Sequence, residues 1–369
     1  MWWCEKMFKN KIVEESVLDK IYQEIKQSEY PLFIWGAGSM SVEVERCLEE
    51  QDIPIEGLFI NEDIESVHII QHKLKIYSLG DIEKKYSKVN VVIGHGHFEK
   101  KEMLNGYGFI HKIYIIPNPY SQYRSRRIGR YVNEHRLEVE KIMNCLVDEV
   151  SREALRAYCL VNQTDDINYL LNRKICIDTM FGLEELHMSE YENYIDVGAW
   201  EGDTVELFMQ KVSGQYTQIT AIEPDPNSFM VLKNKMSGKR SISFLPYGVG
   251  KEEGELYLDR GNTQSAHFVK DKDEQEERMK IEVKTLDSLF ANEKVSLIKI
   301  SIPFLFLEVL QGCKECLRNS KPRLVVNVAA DDGEKVFDTI NWIQDLELGY
   351  NIALRFDFPM PTRLYLYAY

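Results

Sequence analysis

The chain has 369 residues, 44% hydrophobic and 28% charged, the make-up of a folded globular protein with room for two ordinary cores. Its net charge of −14 argues against binding driven by neutralising nucleic-acid or anionic-lipid phosphates. No apolar run approaches the roughly 20 residues that span a bilayer.

The opening "MWWCEKMFKN" has no apolar signal core, and Trp2, Trp3 and Phe8 read as groups that pack on the protein body or a partner. Seven cysteines, odd in number and irregularly spaced, suggest a reducing compartment, so a cytoplasmic protein is expected. Residues 12–28 carry Val13, Val17, Ile21 and Ile25 at helical spacing, which predicts an N-terminal helix over residues 1–28.

"PLFIWGAG", "IEGLFIN", "NVVIGHGH" and "HKIYIIPN" read as buried strands, with "MSVEVERCLEE" a helix between the first two. This alternation predicts a Rossmann-like domain over residues 29–119. Its glycine fingerprint is incomplete: Gly36 and Gly38 are present, but Ser41 stands where a third glycine would be. Asn61 replaces the expected ribose-binding acid, and His95 and His97 share a strand end without an evident third metal ligand. A nucleotide-binding role and a scaffold role both stay open.

Residues 120–185 are expected to form a helical linker. "YSQYRSRRIGRY" alternates Arg with Tyr and suits either a phosphate grip or a solvated connector. Asp148 and Ser151 mark a helix start.

The strongest chemical signal is "YIDVGAWEGDTVELF". Gly198 and Gly202 permit a tight turn and close backbone approach to a ligand, so a side chain at Gly198 is expected to block that approach. Asp203, three residues before Glu206, is placed to cap the following helix. "QITAIEPDP" is a strand ending in Glu223 and Pro224, where a carboxylate accepts bonds from ribose hydroxyls. A dinucleotide site prefers a second glycine near the pyrophosphate. Here Ala199, Trp200 and Glu201 fill the interval and Asp196 precedes it, which suits the cationic aminoacyl end of S-adenosyl-L-methionine (SAM). The cofactor residues are therefore expected to be Asp196, Gly198, Ala199, Glu201, Gly202, Glu223 and Pro224.

The order "IDVGAWEGDT", "AIEPDP", "YGVGKEEGEL", "VKTLDSL", "LIKI…LEVLQG", "KPRLVVNV" resembles the FkbM-type SAM-dependent methyltransferases. The resemblance implies a class I methyltransferase fold over residues 186–369. Such a fold has a seven-stranded sheet and an antiparallel last pair, here "YNIALRF" and "RLYLYAY". The fold class is thus α/β: two Rossmann-like domains joined by a helical segment. The resemblance also implies O-methylation of a sugar or other small-molecule hydroxyl in surface-glycan biosynthesis. A glycosyltransferase-type protein partner and a homodimer fit that setting; nucleic acid and a membrane span do not.

The acceptor half departs from the family pattern. Family members read K-I-D-x-E-G after the fourth strand. Aligning Lys299 and Ile300 puts Ser301 at the Asp, Pro303 at the Glu and Phe304 at the Gly. Ala329 and Ala330 stand where a histidine is expected, and "LRFDF" replaces an Arg-His pair. Ser301, Asp331 and His267 are the catalytic candidates, and Asp287, Asp332 and Asp357 are further carboxylates in reach of the argument. Ser301 can orient a hydroxyl but cannot act as a base alone. S-I-P-F also resembles the aromatic loops with which amino-methyltransferases stack a planar base. The alternative to an enzyme is a decayed methyltransferase that serves as a scaffold in glycan assembly. Cys313 and Cys316 form a lone CxxC on the predicted helix, without the second pair a zinc site needs, so no metal is expected.

Overall fold

The computed structural model describes residues 16–60, 73–119, 124–171, 173–259, 267–269, 279–329 and 334–369. The chain forms two units. One holds residues 1–140, 153–176 and 358–361; the other holds 141–152, 177–357 and 362–369. The outermost N-terminal aromatics, Asn61, Asp331 and Asp332 lie outside the described residues.

The first unit contains β1 (Leu32–Trp35), β2 (Gly57–Phe59), β3 (Ile76–Tyr77), β4 (Val89–Ile93) and β5 (Ile110–Tyr114). All pair in parallel in the order β3-β2-β1-β4-β5. β1, β2 and β4 are buried throughout, as parallel strands covered on both faces must be. Ser16 opens the helix Val17–Gln27 with a reciprocal capping box to Asp19. Residues 124–134, read as a connector or phosphate grip, form the helix Arg124–Glu134.

The second unit is built on β6 (Asn193–Val197), β7 (Gln218–Ile222) and β8 (Ile242–Leu245). A small sheet of β9 (Gly248–Val249), β10 (Gly254–Asp259), β11 (His267–Val269) and β12 (Met279–Lys284) is inserted next. The main sheet resumes with β13 (Leu297–Ile300), β14 (Arg323–Asn327), β15 (Ile352–Phe356) and β16 (Leu364–Ala368). Its order is β15-β16-β14-β13-β6-β7-β8. All neighbours are parallel except β16, which runs antiparallel to both β14 and β15. The seven strands and the antiparallel last pair are those expected.

Aromatic packing fixes β6. The Tyr194 and Phe208 rings stack with centroids 4.2 Å apart, and Phe181 meets both edge-on. Register does the rest. Val197 pairs with Ile300 of β13 and with Ile222 of β7, so the three following turns emerge side by side at the C-terminal ends of the strands. Ser151, within the helix Glu149–Thr164, accepts from Leu354 N at 3.0 Å, while Asp148 pairs with Arg355 at 2.7 Å.

Two local expectations are corrected. Asp203 does not cap its helix: Gly202 is the N-cap, in left-handed backbone, and Asp203 is the first helical residue. Its charge meets the helix N-terminus as a dipole contact instead. The helix expected to carry both Cys313 and Cys316 is split into Phe306–Gln311 and Lys314–Ser320, with Cys313 as N-cap of the second.

Candidate functional site

Asp196 ends up inside the protein. Its Oδ1 lies 2.8 Å from Lys299 Nζ, and its Oδ2 accepts from Tyr194 Oη at 2.9 Å and Thr204 Oγ1 at 2.5 Å. Lys299 Nζ also donates to Gly198 O at 2.8 Å. Asp196 and Lys299 are both fully buried. The Asp196 oxygens are engaged within the protein, and the carboxylate holds Lys299 under the turn. A lysine flanked by apolar residues in a buried strand must find a carboxylate, and that signal was present in "SLIKIS".

The glycines act through the backbone. Gly198 has φ +75°, and a Cβ there would lie 2.7 Å from Ser301 O. Gly202 has φ +85°, and its Cβ would meet Leu232 and Met236 at 2.9 Å. A side chain at Gly198 would therefore strike the neighbouring loop. Gly198 N and Ala199 N both donate to Ile222 O, locking the turn to β7. Ala199 is buried and Glu201 half-buried.

Glu223 sits just past the end of β7 and is 8% exposed. One oxygen accepts from Trp200 N and the other from Asp225 N, each at 2.9 Å. Burial pushes its carboxyl up, against the opposing pull of those amides. Buried Pro224 follows, and Asp225 caps the helix Pro226–Lys235 through Ser228 N. A carboxylate has about four lone-pair sites, so Glu223 retains acceptor capacity for vicinal hydroxyls. Its place beside the turn fits a nucleoside-bearing cofactor.

On the acceptor side, Phe304 has φ +65°. A phenylalanine holds the left-handed backbone that the family's glycine adopts freely, at a cost of about 1–2 kcal/mol. Lys335 Nζ donates to Phe304 O and pairs with Glu308 at 2.7 Å, fastening the loop. Phe304 is 43% exposed, so it does not plug an enclosed pocket. The Ser301 hydroxyl is shielded from solvent and lies near the Tyr365 phenol without forming a hydrogen bond to it. Asp357 is held by the Arg363 guanidinium, with Nε–Oδ1 3.0 Å. Asp287 accepts from Glu315 N and Cys316 N, so it caps a helix and is spoken for. His267 belongs to β11 of the inserted sheet, opposite Asp259.

The structure thus brings together Gly198, Ala199, Glu201, Gly202, Glu223, Pro224 and Ser301 at the C-terminal ends of β6, β7 and β13. It does not bring His267 into the same sheet as Ser301. Sequence reasoning missed Lys299, whose carboxylate partner is 103 residues away, and the shorter-range partners Thr204 of Asp196 and Arg363 of Asp357.

In the first unit, Gly36 (φ +131°) presses on the turn after β4, where its Cβ would meet Gly94 O at 2.8 Å. His95 lies edge-on to Trp35 at 4.4 Å and His97 edge-on to Phe358 at 4.6 Å. Both follow β4, which ends at Ile93, so neither is on the strand as expected.

The seven-stranded order, the glycine turn after β6 and the carboxylate after β7 define a class I methyltransferase architecture. Residues 196–352 match the family model described as the methyltransferase FkbM domain. Domains of this family are SAM-dependent, so SAM is the cofactor. The crystal structure of methyltransferase FkbM from Methylobacillus flagellatus KT is similar over 100% of this chain and 98% of its own, with a TM-score of 0.69 at 16% identity, which shows the fold. SMU.1697c from Streptococcus mutans, solved in complex with SAH, matches with a TM-score of 0.32 at 12% identity over 48% of this chain and 89% of its own. Aeropyrum pernix fibrillarin, with natively bound S-adenosyl-L-methionine, gives 0.30 at 13% identity over 49% and 69%. No curated protein matches. Among the described residues, no helix is long and apolar enough to cross a membrane.

Proposed function

We propose that this methyltransferase acts on a hydroxyl of a sugar or other small molecule, in the assembly of a surface glycan. The observation that carries the reading is Glu223, poised beside the glycine turn with acceptor capacity to spare. Glu223 would hold the ribose hydroxyls, and the turn of Gly198, Ala199, Glu201 and Gly202 would line the aminoacyl end. When bound, SAM supplies an electrophilic methyl group. The chain's own residues would orient the acceptor from the β13 side, where the loop carrying Ser301 and Phe304 meets the turn at Ser301.

A hydroxyl is a weak nucleophile and gains from a base. Asp287 is engaged with backbone amides and Asp357 with Arg363, which leaves Asp331, Asp332 and His267 as the candidates. A soluble acceptor in the cytoplasm, a glycosyltransferase-type partner and a homodimer belong to the same reading.

The second reading, a catalytically decayed scaffold, draws on the loss of acidic side chains at Ser301, Pro303 and Phe304. Calorimetry with SAM and S-adenosylhomocysteine (SAH), followed by assay of SAH release across glycan acceptors, separates the two. Binding with release supports the enzyme; binding without release on any acceptor supports the scaffold. Folded protein that binds neither compound at sub-millimolar concentration ends the enzyme reading.

A further inference from the structure

Phe304 and Trp200 share three unusual properties. Both have left-handed backbone, φ +65° and φ +45°. Both are large aromatics with nearly half their surface exposed, 43% and 45%. Both lie on turns that touch each other, since the space beside Gly198 is filled by Ser301 O. Left-handed backbone at a bulky residue persists only where surrounding contacts hold it. Burial does not account for either ring here.

Each backbone is instead held from outside. Trp200 N donates to Glu223 Oε2 at 2.9 Å, and Lys335 Nζ fastens Phe304 O. The fastening on Glu223 ties the Trp200 ring to the residue assigned to the cofactor ribose. Strained backbone of this kind clusters at active sites and ligand clamps.

We infer that Phe304, with Trp200 across the adjoining turn, is the acceptor-recognition face of the site and stacks the apolar face of an uncharged sugar ring; this rests on the methyltransferase reading above. The neighbourhood selects against anionic acceptors. Half-buried Glu201 lies on the Trp200 turn, exposed Asp203 opens the helix after it and Glu223 accepts from Trp200 N, in a chain of net charge −14. An aromatic face needs no opposite charge: it gains from the C–H face of a pyranose while the ring hydroxyls stay in water.

The test uses full-length protein with SAH and a panel of methyl pyranosides, read by saturation-transfer NMR. Phe304→Ala should weaken pyranoside binding by about two- to tenfold, while SAH affinity, measured by calorimetry, stays within about twofold. Phe304→Gly should melt at the same temperature as the parent or higher, because glycine adopts the left-handed backbone without strain. A packing role for the ring predicts a lower melting temperature and would overturn the inference. So would unchanged pyranoside transfer in Phe304→Ala, or no transfer from any pyranoside to the parent protein with SAH bound. Failure of the parent to bind SAH would instead remove the methyltransferase reading beneath it.

Discussion

Lys299 and Asp196 form an ion pair 2.8 Å long with neither side chain more than 1% exposed. It lies directly beneath the glycine turn, because Lys299 Nζ also donates to Gly198 O. Breaking one partner of a buried pair leaves an uncompensated charge and costs about 3–5 kcal/mol. Lys299→Met should therefore destabilise the second unit by that amount in urea denaturation. The double variant Lys299→Met with Asp196→Leu should recover part of the loss. A double variant no more stable than the single would mean that the remaining bonds to Tyr194 and Thr204, not the charge, set the cost.

Glu223 should show two effects. Glu223→Ala removes a charge-assisted contact of about 1.5–3 kcal/mol, which lowers SAM affinity roughly ten- to a hundredfold. Because the carboxylate also braces Trp200 N and Asp225 N, the same change should reduce fold stability by about 1–3 kcal/mol. A strand-end carboxylate reads as exposed from sequence alone, and would then carry no stability. Calorimetry and denaturation of one preparation measure both; affinity loss without stability loss would show that the braces are incidental.

The pH dependence of Glu223 follows from the direction of its shift. Burial raises its carboxyl, so the folded state holds the proton more tightly than the unfolded chain. Its stabilising share is complete below the unfolded pKa and is lost as pH rises through the folded one. Ribose hydroxyls donate to the ionised form, so SAH affinity should climb across that same window. Glu223→Gln should flatten both trends, and a parent protein whose affinity is level across the window would contradict the assignment.

The two glycines should differ on substitution. Gly198→Ala drives a Cβ against backbone at 2.7 Å, whereas Gly202→Ala meets the movable ends of Leu232 and Met236. Both incur the left-handed penalty of about 1–2 kcal/mol. Gly198→Ala should therefore melt lower, and should lower SAH affinity by displacing the Ser301 loop. Equal melting temperatures would mean that the two turns yield more easily than the contacts imply.

These contrasts show what a sequence can carry. The turn between β6 and its helix was legible because strand, glycines and strand-end acid lie within 31 residues, Asn193 to Glu223. Lys299 was used only to align a motif, since its carboxylate partner is 103 residues away. The inserted sheet was hidden for another reason. Its strands carry exposed charges, as in Glu255 and Lys280, and charge runs read as solvated loops. Asp203 and Gly202 exchanged roles because a left-handed glycine ends the turn one residue earlier than an acidic cap would. The base for methyl transfer was illegible throughout: the carboxylates near the altered loop are plain in the sequence, but their engagement with Arg363 and helix amides is not.

The helix start at residue 148 has a consequence for dissecting the protein. Ser151 Oγ and Leu354 N are 203 positions apart in the chain, and Leu146 forms a bridge with Ile352. Residues 141–152 thus serve as a detached brace for β15. A recombinant fragment cut at residue 186 begins after that brace, and its Arg355 is left without Asp148. Expressed alone, it should aggregate or melt early, and adding residues 141–152 back as a separate peptide should restore part of its cooperativity. The catalytic half of this chain is not a contiguous cassette.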